Sequence, residues 1–136
     1  MTTFIVNETS FYTIAVDPSK NRLYLISKGF WSSKDDVPNY LEDLAQALEK
    51  LEPGFDLLND STEVETTPED VNMQVIFPAV KMLQAKQLNR TAQVVPKDLI
   101  SNLNTELLLD DVRRAETKLM QFDNIADAEK WLDGNS

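Results

Sequence analysis

The sequence contains no cysteine and no histidine, and these two absences exclude much of the usual chemistry of enzymes. Without cysteine the chain has no disulfide bond, no thiolate nucleophile and no zinc–thiolate site. Without histidine it lacks the common general base near neutral pH, the triads that use it, and most transition-metal sites. We therefore expect no enzyme activity, no metal site and no cofactor.

Glycine and long apolar runs are scarce as well. The three glycines, Gly29, Gly54 and Gly134, are too scattered for a phosphate-binding loop or a dinucleotide-binding turn. The longest charge-free apolar stretch, residues 71–80, is far too short to span a bilayer. The N-terminus shows no basic segment followed by an apolar core. We expect a cytoplasmic protein that does not insert stably into membranes.

Basic residues are outnumbered, with 13 against 23 acidic residues and a formal net charge of −10. This charge repels phosphate backbones, so nucleic acid is not an expected partner. The hydrophobic fraction of 42% is ordinary for a globular protein. A chain of 136 residues without an internal repeat or a linker fits one domain, residues 1–136.

The first half of the chain predicts a hairpin followed by a helix. Residues 11–16 and 22–27 have the apolar alternation of strands and flank the turn-forming sequence DPSKN. After Trp31, leucines spaced by three and four residues predict an amphipathic helix that ends at Pro53–Gly54. Ser33 or Asp36 would cap its start.

A second helix is predicted from Thr67 to about residue 88. Thr67 suits the N-cap, Pro68 the first helical position, and Asp70 the third, which resembles a capping box. Pro78 should kink this helix, because its ring clashes with the preceding turn.

The remaining segments continue an alternation of strands and helices. Strands are predicted at residues 55–60, 91–95 and 118–122, and helices at residues 97–116 and 123–132, with Gly134 as a C-terminal cap. The order β-β-α-β-α-β-α-β-α predicts an α/β fold with a mixed, mainly parallel sheet of four to five strands, an N-terminal hairpin and about four helices.

Four fragments, taken in this order, point to a known fold family. They are VDPSKNRLYLISKGFW, PGFDLLND followed by TPED, NRTAQVV, and a terminal F-x₅-A-x₂-WL. Together they cover nearly the whole chain, which resembles the SpoIIAA-like group of STAS-like proteins, named for the fold of anti-sigma-factor antagonists. The resemblance implies a four- or five-stranded sheet with helices chiefly on one face.

The resemblance also implies a non-enzymatic switch that docks onto a protein partner or associates with itself. In anti-sigma antagonists a serine in the loop before the second main helix is phosphorylated, and Thr66 and Thr67 occupy that place here. The serine pair and the glycine of the family motif are missing, and acidic residues surround the threonines. The alternative is that Thr67 only caps a helix.

The acidic and hydroxyl residues before the second helix are a second candidate. Asp60 stands at the end of a predicted parallel strand, where open α/β sheets usually bind ligands. A solvated sheet edge is the simpler interpretation. The candidate binding or regulatory residues are Asp60, Ser61, Thr66 and Thr67.

Apolar residues give the strongest functional hint. The second helix has more of them than one stripe against a sheet requires, and two aromatic residues follow the hairpin. They form either core or a surface for a ligand, a second subunit or lipid. The candidates are Phe30, Trp31, Met73, Ile76, Phe77 and Val80.

Two functions remain open. One is a regulatory or protein-interaction domain. The other is a carrier or sensor of a small apolar ligand or lipid, with transient membrane approach, which the resemblance also implies. Such a ligand would lie between the second helix, the third helix and the sheet.

Overall fold

A computed structural model describes residues 3–96 and 119–134. Within them the strands form one six-stranded sheet in sequential order. The first two pairings are antiparallel and the last three are parallel. The strands are β1 (Phe4–Glu8), β2 (Tyr12–Asp17), β3 (Arg22–Gly29), β4 (Asp56–Val64), β5 (Thr91–Val94) and β6 (Leu119–Phe122).

Helices cover both faces of this sheet. Helix α1 is Tyr40–Glu49, helix α2 comprises residues 69–85, and helix α3 is Ile125–Leu132. Helices α1 and α2 pack on one face, which we call the α1/α2 face, over a core that includes Ile14, Leu25 and Leu57. Helix α3 packs on the opposite face, the α3 face, over Leu58, Ala92 and Val94.

The predicted fold class is confirmed, with one more strand than expected. The mixed, mainly parallel sheet and its N-terminal hairpin are present. Strand β1 adds an antiparallel edge to that hairpin, pairing Phe4 with Val16 and Glu8 with Thr13. Its inward-facing Val6 packs against the main core, which explains why this short segment forms a strand.

The first helix begins later than predicted. Ser33 does cap, but it caps a short 3-10 helix, Lys34–Asp36, by accepting a hydrogen bond from Asp35 N at 3.1 Å. Helix α1 starts only at Tyr40. Pro38 explains the break, because the residue before a proline is disfavoured in helical conformation and Val37 is indeed non-helical.

The start of α2 also differs from the prediction. The N-cap is Pro68 and not Thr67, and the helix begins at Glu69. The hydroxyl of Thr67 donates to Asn72 Oδ1 and leaves the backbone N–H groups of the first turn uncapped by a side chain. The capping box expected from Thr67 and Asp70 is therefore wrong.

Helix α2 contains an irregularity directly before Pro78. It consists of Glu69–Val71, a π-helical segment Asn72–Ile76, and Phe77–Ala85. The backbone N–H of Phe77 donates to the carbonyl of Asn72, five residues back. Pro78 has no N–H to continue an α-helical ladder, so the wider turn accommodates the residue expected to kink the helix.

Strand β4 is longer than predicted, since pairing continues to Val64 through a β-bulge. Ile26 pairs with Asp60 and Lys28 with Glu63, which leaves two residues of β4 opposite Ser27 alone.

The other segments agree closely with the predicted boundaries, except where they leave the described residues. The helix predicted at residues 97–116 and the first residue of the strand predicted at 118–122 lie outside them. Helix α3 begins after Asn124, whose side chain accepts from Asp127 N at 2.8 Å. Gly134 follows the helix at φ 82°, as expected of a C-terminal cap. No helix among the described residues is long and apolar enough to cross a membrane.

Candidate functional site

Two adjoining cavities lie on the α1/α2 face of the sheet. The first has a volume of about 410 Å³ and lies where the parallel strands β3, β4 and β5 end. The second, about 300 Å³, continues between α2 and the middle of the sheet. They share Ser27, Asn59 and Ile76 in their lining, and we call the pair the cleft. Each volume falls in the range of small-molecule sites.

The floor of the cleft is polar because the strands change character on their inward-facing side. Strand β3 points Leu23 and Leu25 into the core and then Ser27 into the cleft. Strand β4 follows Leu57 with Asn59 on the same face. Polar residues on a core-facing side lose hydration, so they need partners inside the protein or in a ligand.

A hydrogen-bond chain joins the polar floor across β4 and β5. Asn59 Nδ2 donates to Gln93 Oε1 at 3.1 Å, and Gln93 Nε2 donates to Ser61 Oγ at 2.8 Å. The Ser61 hydroxyl then donates to the carbonyl of Val94 at 3.2 Å. This chain fixes the rotamers of its three side chains and holds Asn59 at the junction of the cavities.

Aromatic residues form a rigid wall beside the first cavity. Trp31 lines this cavity although it is only 1% exposed, and its Nε1 donates to the carbonyls of Phe11 and Lys28. Its ring lies 6.2 Å from that of Tyr12 and 5.1 Å from that of Tyr40, both in edge-on contacts. Such contacts stabilise the wall beyond the effect of burial alone.

The tyrosines of this cluster are held in their neutral form. Burial, followed by a hydrogen bond to Asp43, raises the pKa of Tyr12 to about 12. Its hydroxyl donates to Asp43 Oδ2 at 2.6 Å, an oxygen that also accepts from Asn7 Nδ2 at 2.7 Å. Burial likewise raises the pKa of Tyr40. The cluster is therefore an uncharged structural support at neutral pH.

The opposite wall is built by the segment before α2 and by α2 itself. Glu65, Thr66 and Thr67 line the first cavity, and Glu65 N donates to the carbonyl of Gly29 at 2.9 Å. The hydrogen bond from Thr67 to Asn72 joins this segment to the π-helical turn. The wide turn thus contributes both Asn72 and Ile76 to the cavity.

The described lining of the cleft is almost free of charge. Glu65, in the first cavity, is its single acidic or basic residue, and the second cavity contains Tyr40, whose phenol is neutral because burial raises its pKa. Within residues 3–96 and 119–134, no group of three or more acidic side chains is placed to hold a metal ion. The arrangement offers neutral hydrogen-bonding groups at the junction and a mainly apolar second cavity, whose further polar lining residues are Tyr40, Gln84 and Thr91.

The structure brings together part of the predicted set of residues. Trp31, Ser61, Thr66, Thr67 and Ile76 all line the first cavity. Val80 lines the second cavity, as Ile76 also does.

Other predicted residues lie elsewhere. Met73 and Phe77 are 57% and 51% exposed on the outer side of α2, and Phe30 is also exposed. None of these three belongs to the described lining of the cleft.

Asp60 does not occupy the end of its strand, in contrast to the prediction. Strand β4 continues past it to Val64, so Asp60 is an internal strand residue. Its side chain is buried on the α3 face, opposite to that of Asn59. Its Oδ1 accepts from Thr62 N at 3.0 Å and from Thr62 Oγ1 at 2.8 Å. These bonds stabilise the β-bulge, which gives Asp60 a structural task away from the cleft.

The sequence did not point to several polar residues of the cleft, among them Ser27, Asn59 and Asn72, or to Gln93, which accepts a hydrogen bond from Asn59 but is not part of the described lining. A signal existed for Ser27 and Asn59, since each follows an apolar residue, Leu25 or Leu57, two positions earlier on the same side of its strand. Asn72 gave no such signal, because its place depends on the π-helical turn.

Two arginines anchor helix α3 to the sheet on the other face. Arg90 Nη2 lies 2.7 Å from Asp56 Oδ2, and the same guanidinium donates to the carbonyls of Trp131 and Leu132. Arg22 is buried and lies 2.7 Å from Asp133 Oδ1. The Arg22 hydrogen bond holds the pKa of Asp133 below its usual value.

The fold is similar to that of a solved structure. An uncharacterized protein of the DUF3478 family from Shewanella loihica PV-4, described as having a SpoIIAA-like fold, superposes with a TM-score of 0.66 at 16% sequence identity. The similarity covers 93% of this chain and 97% of that chain. No protein-family model matches the sequence, and no curated protein matches it. The chain therefore has the SpoIIAA-like fold that the sequence fragments predicted.

Proposed function

We propose that this chain is a non-enzymatic, ligand-responsive regulatory domain that binds a small, largely apolar molecule in the cleft. The observation that carries the proposal is the pair of adjoining cavities, which share Ser27, Asn59 and Ile76. A pocket with mainly apolar walls and a few convergent polar groups is the usual form of a small-molecule site.

The chemistry of the cleft supports binding more than catalysis. The chain has no histidine or cysteine to act as a base or nucleophile. Among the described lining residues, the hydroxyl of Ser61 is already engaged as donor and acceptor. Thr67 donates to Asn72 and not to a basic group. A hydroxyl nucleophile needs an adjacent base, and neither of these hydroxyls donates to Glu65, the one carboxylate of the described lining.

Helix α2 would couple ligand binding in the cleft to the exposed surface of the protein. Ile76 faces the cleft, whereas Met73 and Phe77, on the same helix, are exposed. A ligand that contacts Ile76 would therefore act on the element that presents apolar residues to a partner. Conversion of the π-helical segment to regular α-helix would rotate the side chains that follow it relative to those that precede it. This rotation would change which residues α2 exposes.

The experiment measures ligand binding with the cleft open and blocked. The purified full chain is titrated with octanamide by calorimetry and is also extracted with organic solvent for mass spectrometry. Ile76→Trp places a large ring at the junction of the cavities, and Met73→Trp places the same ring on the exposed side of α2. We expect Ile76→Trp to weaken binding by roughly tenfold or more, which corresponds to about 1.4 kcal/mol, and Met73→Trp to change it by less than about twofold.

Equal binding to both variants would contradict the proposal, as would a wild-type chain that neither retains a ligand nor binds the probe. Circular dichroism of the two variants checks that both remain folded.

A second candidate function is docking of a protein partner on the exposed side of α2. Met73, Phe77 and Val80 follow each other at spacings of four and three residues and are all exposed. The net charge of −10 opposes self-association and favours a partner with basic residues around an apolar centre.

Crosslinking to such a partner tests this candidate. The double variant Met73→Ser/Phe77→Ser should no longer form the crosslinked species. Raised salt should lower the yield of that species in the wild-type chain. Ile125→Ser changes an exposed apolar residue of α3 and serves as the control. A species that both variants retain equally would contradict docking on α2.

A further inference from the structure

We infer that the ligand of the cleft is an uncharged amphipathic molecule, with a primary amide or hydroxyl head group bound by Ser27 and Asn59 and an apolar chain in the second cavity. This inference rests on the proposed function and adds to it the chemical class of the ligand and its orientation.

The absence of cationic groups from the described lining disfavours an anionic head group. A carboxylate or phosphate would meet no lysine or arginine among those residues, and the one ionised side chain, Glu65, would repel it. Burying an unpaired charge is far more costly than burying a neutral polar group.

A cationic head group is disfavoured at the junction for a related reason. Glu65 lines only the first cavity and is an exposed residue, so water screens its charge. Ser27 and Asn59, which occupy the junction, are neutral. An ammonium group there would lose hydration without gaining a close carboxylate.

The hydrogen-bonding groups of Ser27 and Asn59 that have no partner in the described residues determine which head group fits the junction. Asn59 uses one N–H for Gln93, and its Oδ1 and second N–H have no partner within residues 3–96 and 119–134. The hydroxyl of Ser27 also has no partner in that part of the chain, whereas Ser61 already donates and accepts. The free groups thus combine donors with an acceptor, which suits a head group that does the same.

The second cavity determines where the apolar portion lies. Its walls include Leu25 and Leu57 from the sheet and Ala79 and Leu83 from α2, all buried residues of the main core. The first cavity instead contains Thr66, Thr67 and Asn72. A chain that enters the second cavity replaces water against apolar surface, so the head group is left at the junction.

The test compares three probes that share an eight-carbon chain and differ in the head group. The full-length protein is titrated by calorimetry with octanamide, octanoate and octylammonium. We expect octanamide to bind at least about tenfold more tightly than either charged probe, because the junction offers neither charge a partner.

Two variants test whether Ser27 and Asn59 bind the head group. Ser27→Ala removes a hydroxyl that has no partner in the described residues, and Asn59→Ala removes the amide. Each should weaken octanamide binding by roughly three- to tenfold. Asn39→Ala removes an exposed asparagine at the N-cap of α1, whose side chain makes no capping bond, and should change binding by less than about twofold.

The outcomes separate this inference from the proposed function. Equal or tighter binding of octanoate or octylammonium, with Ile76→Trp still blocking it, would overturn the neutral class and leave the cleft as a ligand site. Unchanged octanamide binding in both Ser27→Ala and Asn59→Ala would overturn the assigned head-group position. Binding of none of the probes would overturn this inference, and the proposed function falls with it when solvent extraction also recovers no ligand.

Discussion

Asn59 of β4 donates a hydrogen bond from Nδ2 to Gln93 Oε1 of β5, at 3.1 Å, on the side of the sheet that carries the main apolar core. The two residues are directly paired in the parallel register of β4 and β5. Two leucines in these places would fill the same space without a need for partners. The polar pair is better explained by the amide that Asn59 presents to the cleft, with Gln93 as its support, than by what the pair adds to the core.

The first prediction concerns this pair and the stability of the fold. We expect Asn59→Leu/Gln93→Leu to change the free energy of unfolding by less than about 1 kcal/mol or to raise it, because both partners are replaced together. Gln93→Leu alone should cost about 1–2 kcal/mol, since it leaves the Asn59 amide without its partner. Urea unfolding measures both values. A double variant that is much less stable than the single one would show that the pair is needed by the fold.

The second prediction concerns the ion pair between Arg90 and Asp56. Asp56 is buried, and Arg90 bonds both its carboxylate oxygens and two carbonyls at the end of α3. Arg90→Ala should therefore lower the free energy of unfolding by about 3 kcal/mol, because it leaves a buried carboxylate without a counter-charge, although Asn89 Nδ2 and the backbone N–H of residue 90 still donate to it. Lys50→Ala at an exposed position is the control for urea unfolding. A loss below about 1 kcal/mol in Arg90→Ala would argue against this anchor.

The third prediction concerns stability in acid. The Arg22 hydrogen bond lowers the pKa of Asp133 below its usual value, so the ionised form stabilises the native state. This contribution is present above about pH 4 and is lost as the pH falls through the lowered pKa.

The variant Asp133→Asn should accordingly flatten the fall of stability below about pH 4, whereas Glu49→Gln at an exposed position should leave it unchanged. Urea midpoints across this range provide the measurement. Parallel curves for wild type and Asp133→Asn would refute the assignment.

The fourth prediction concerns stability in alkali. Burial and the bond to Asp43 raise the pKa of Tyr12 to about 12, above the usual value near 10. Because the raised pKa favours the neutral phenol, its contribution is complete below about pH 10 and is lost as the pH rises toward 12.

We expect the free energy of unfolding to fall by on the order of 2 kcal/mol over this interval through Tyr12 alone. Tyr40, whose pKa burial also raises, adds to the loss in the same direction. Tyr12→Phe should reduce the fall, and urea unfolding at a series of pH values measures it. An equally steep fall in Tyr12→Phe would assign the alkaline transition to other groups.

The sequence predicts most of the sheet, because its strands follow simple alternation. Ile14 and Val16 on β2 and Leu23 and Leu25 on β3 reveal both the hairpin and its buried side. The end of β4 could not be located in this way. Ser61 and Glu63 are polar, and pairing continues past them only through a bulge that the Asp60 side chain stabilises.

The candidate site could be predicted only in part, for two physical reasons. Ile76 and Thr67 were recognised from composition and position, but the local rule that makes Thr67 an N-cap yielded to a side-chain bond with Asn72. Phe77 was grouped with Ile76 by hydrophobicity, although the two lie on different sides of α2. The π-helical turn alters the angular order of side chains, and sequence periodicity assumes that this order is regular.

The most direct test of the account measures contact between a ligand and each of the two tryptophans. Trp31 lines the first cavity, whereas Trp131 lies on the α3 face against Phe122 and Arg90. Trp131→Phe leaves Trp31 as the single tryptophan, and Trp31→Phe leaves Trp131. An octanamide that carries bromine on the carbon next to its amide group is titrated into both variants. Bromine quenches indole fluorescence on contact, and in this probe it lies with the head group at the junction, whose residues Ser27 and Asn59 line the first cavity together with Trp31.

Ligand binding in the cleft should give saturable quenching of Trp31, lost in Trp131→Phe/Ile76→Phe, and no saturable quenching of Trp131. Quenching of Trp131 alone, or of neither tryptophan, would contradict the conclusion that the cleft beside α2 is the ligand-binding site.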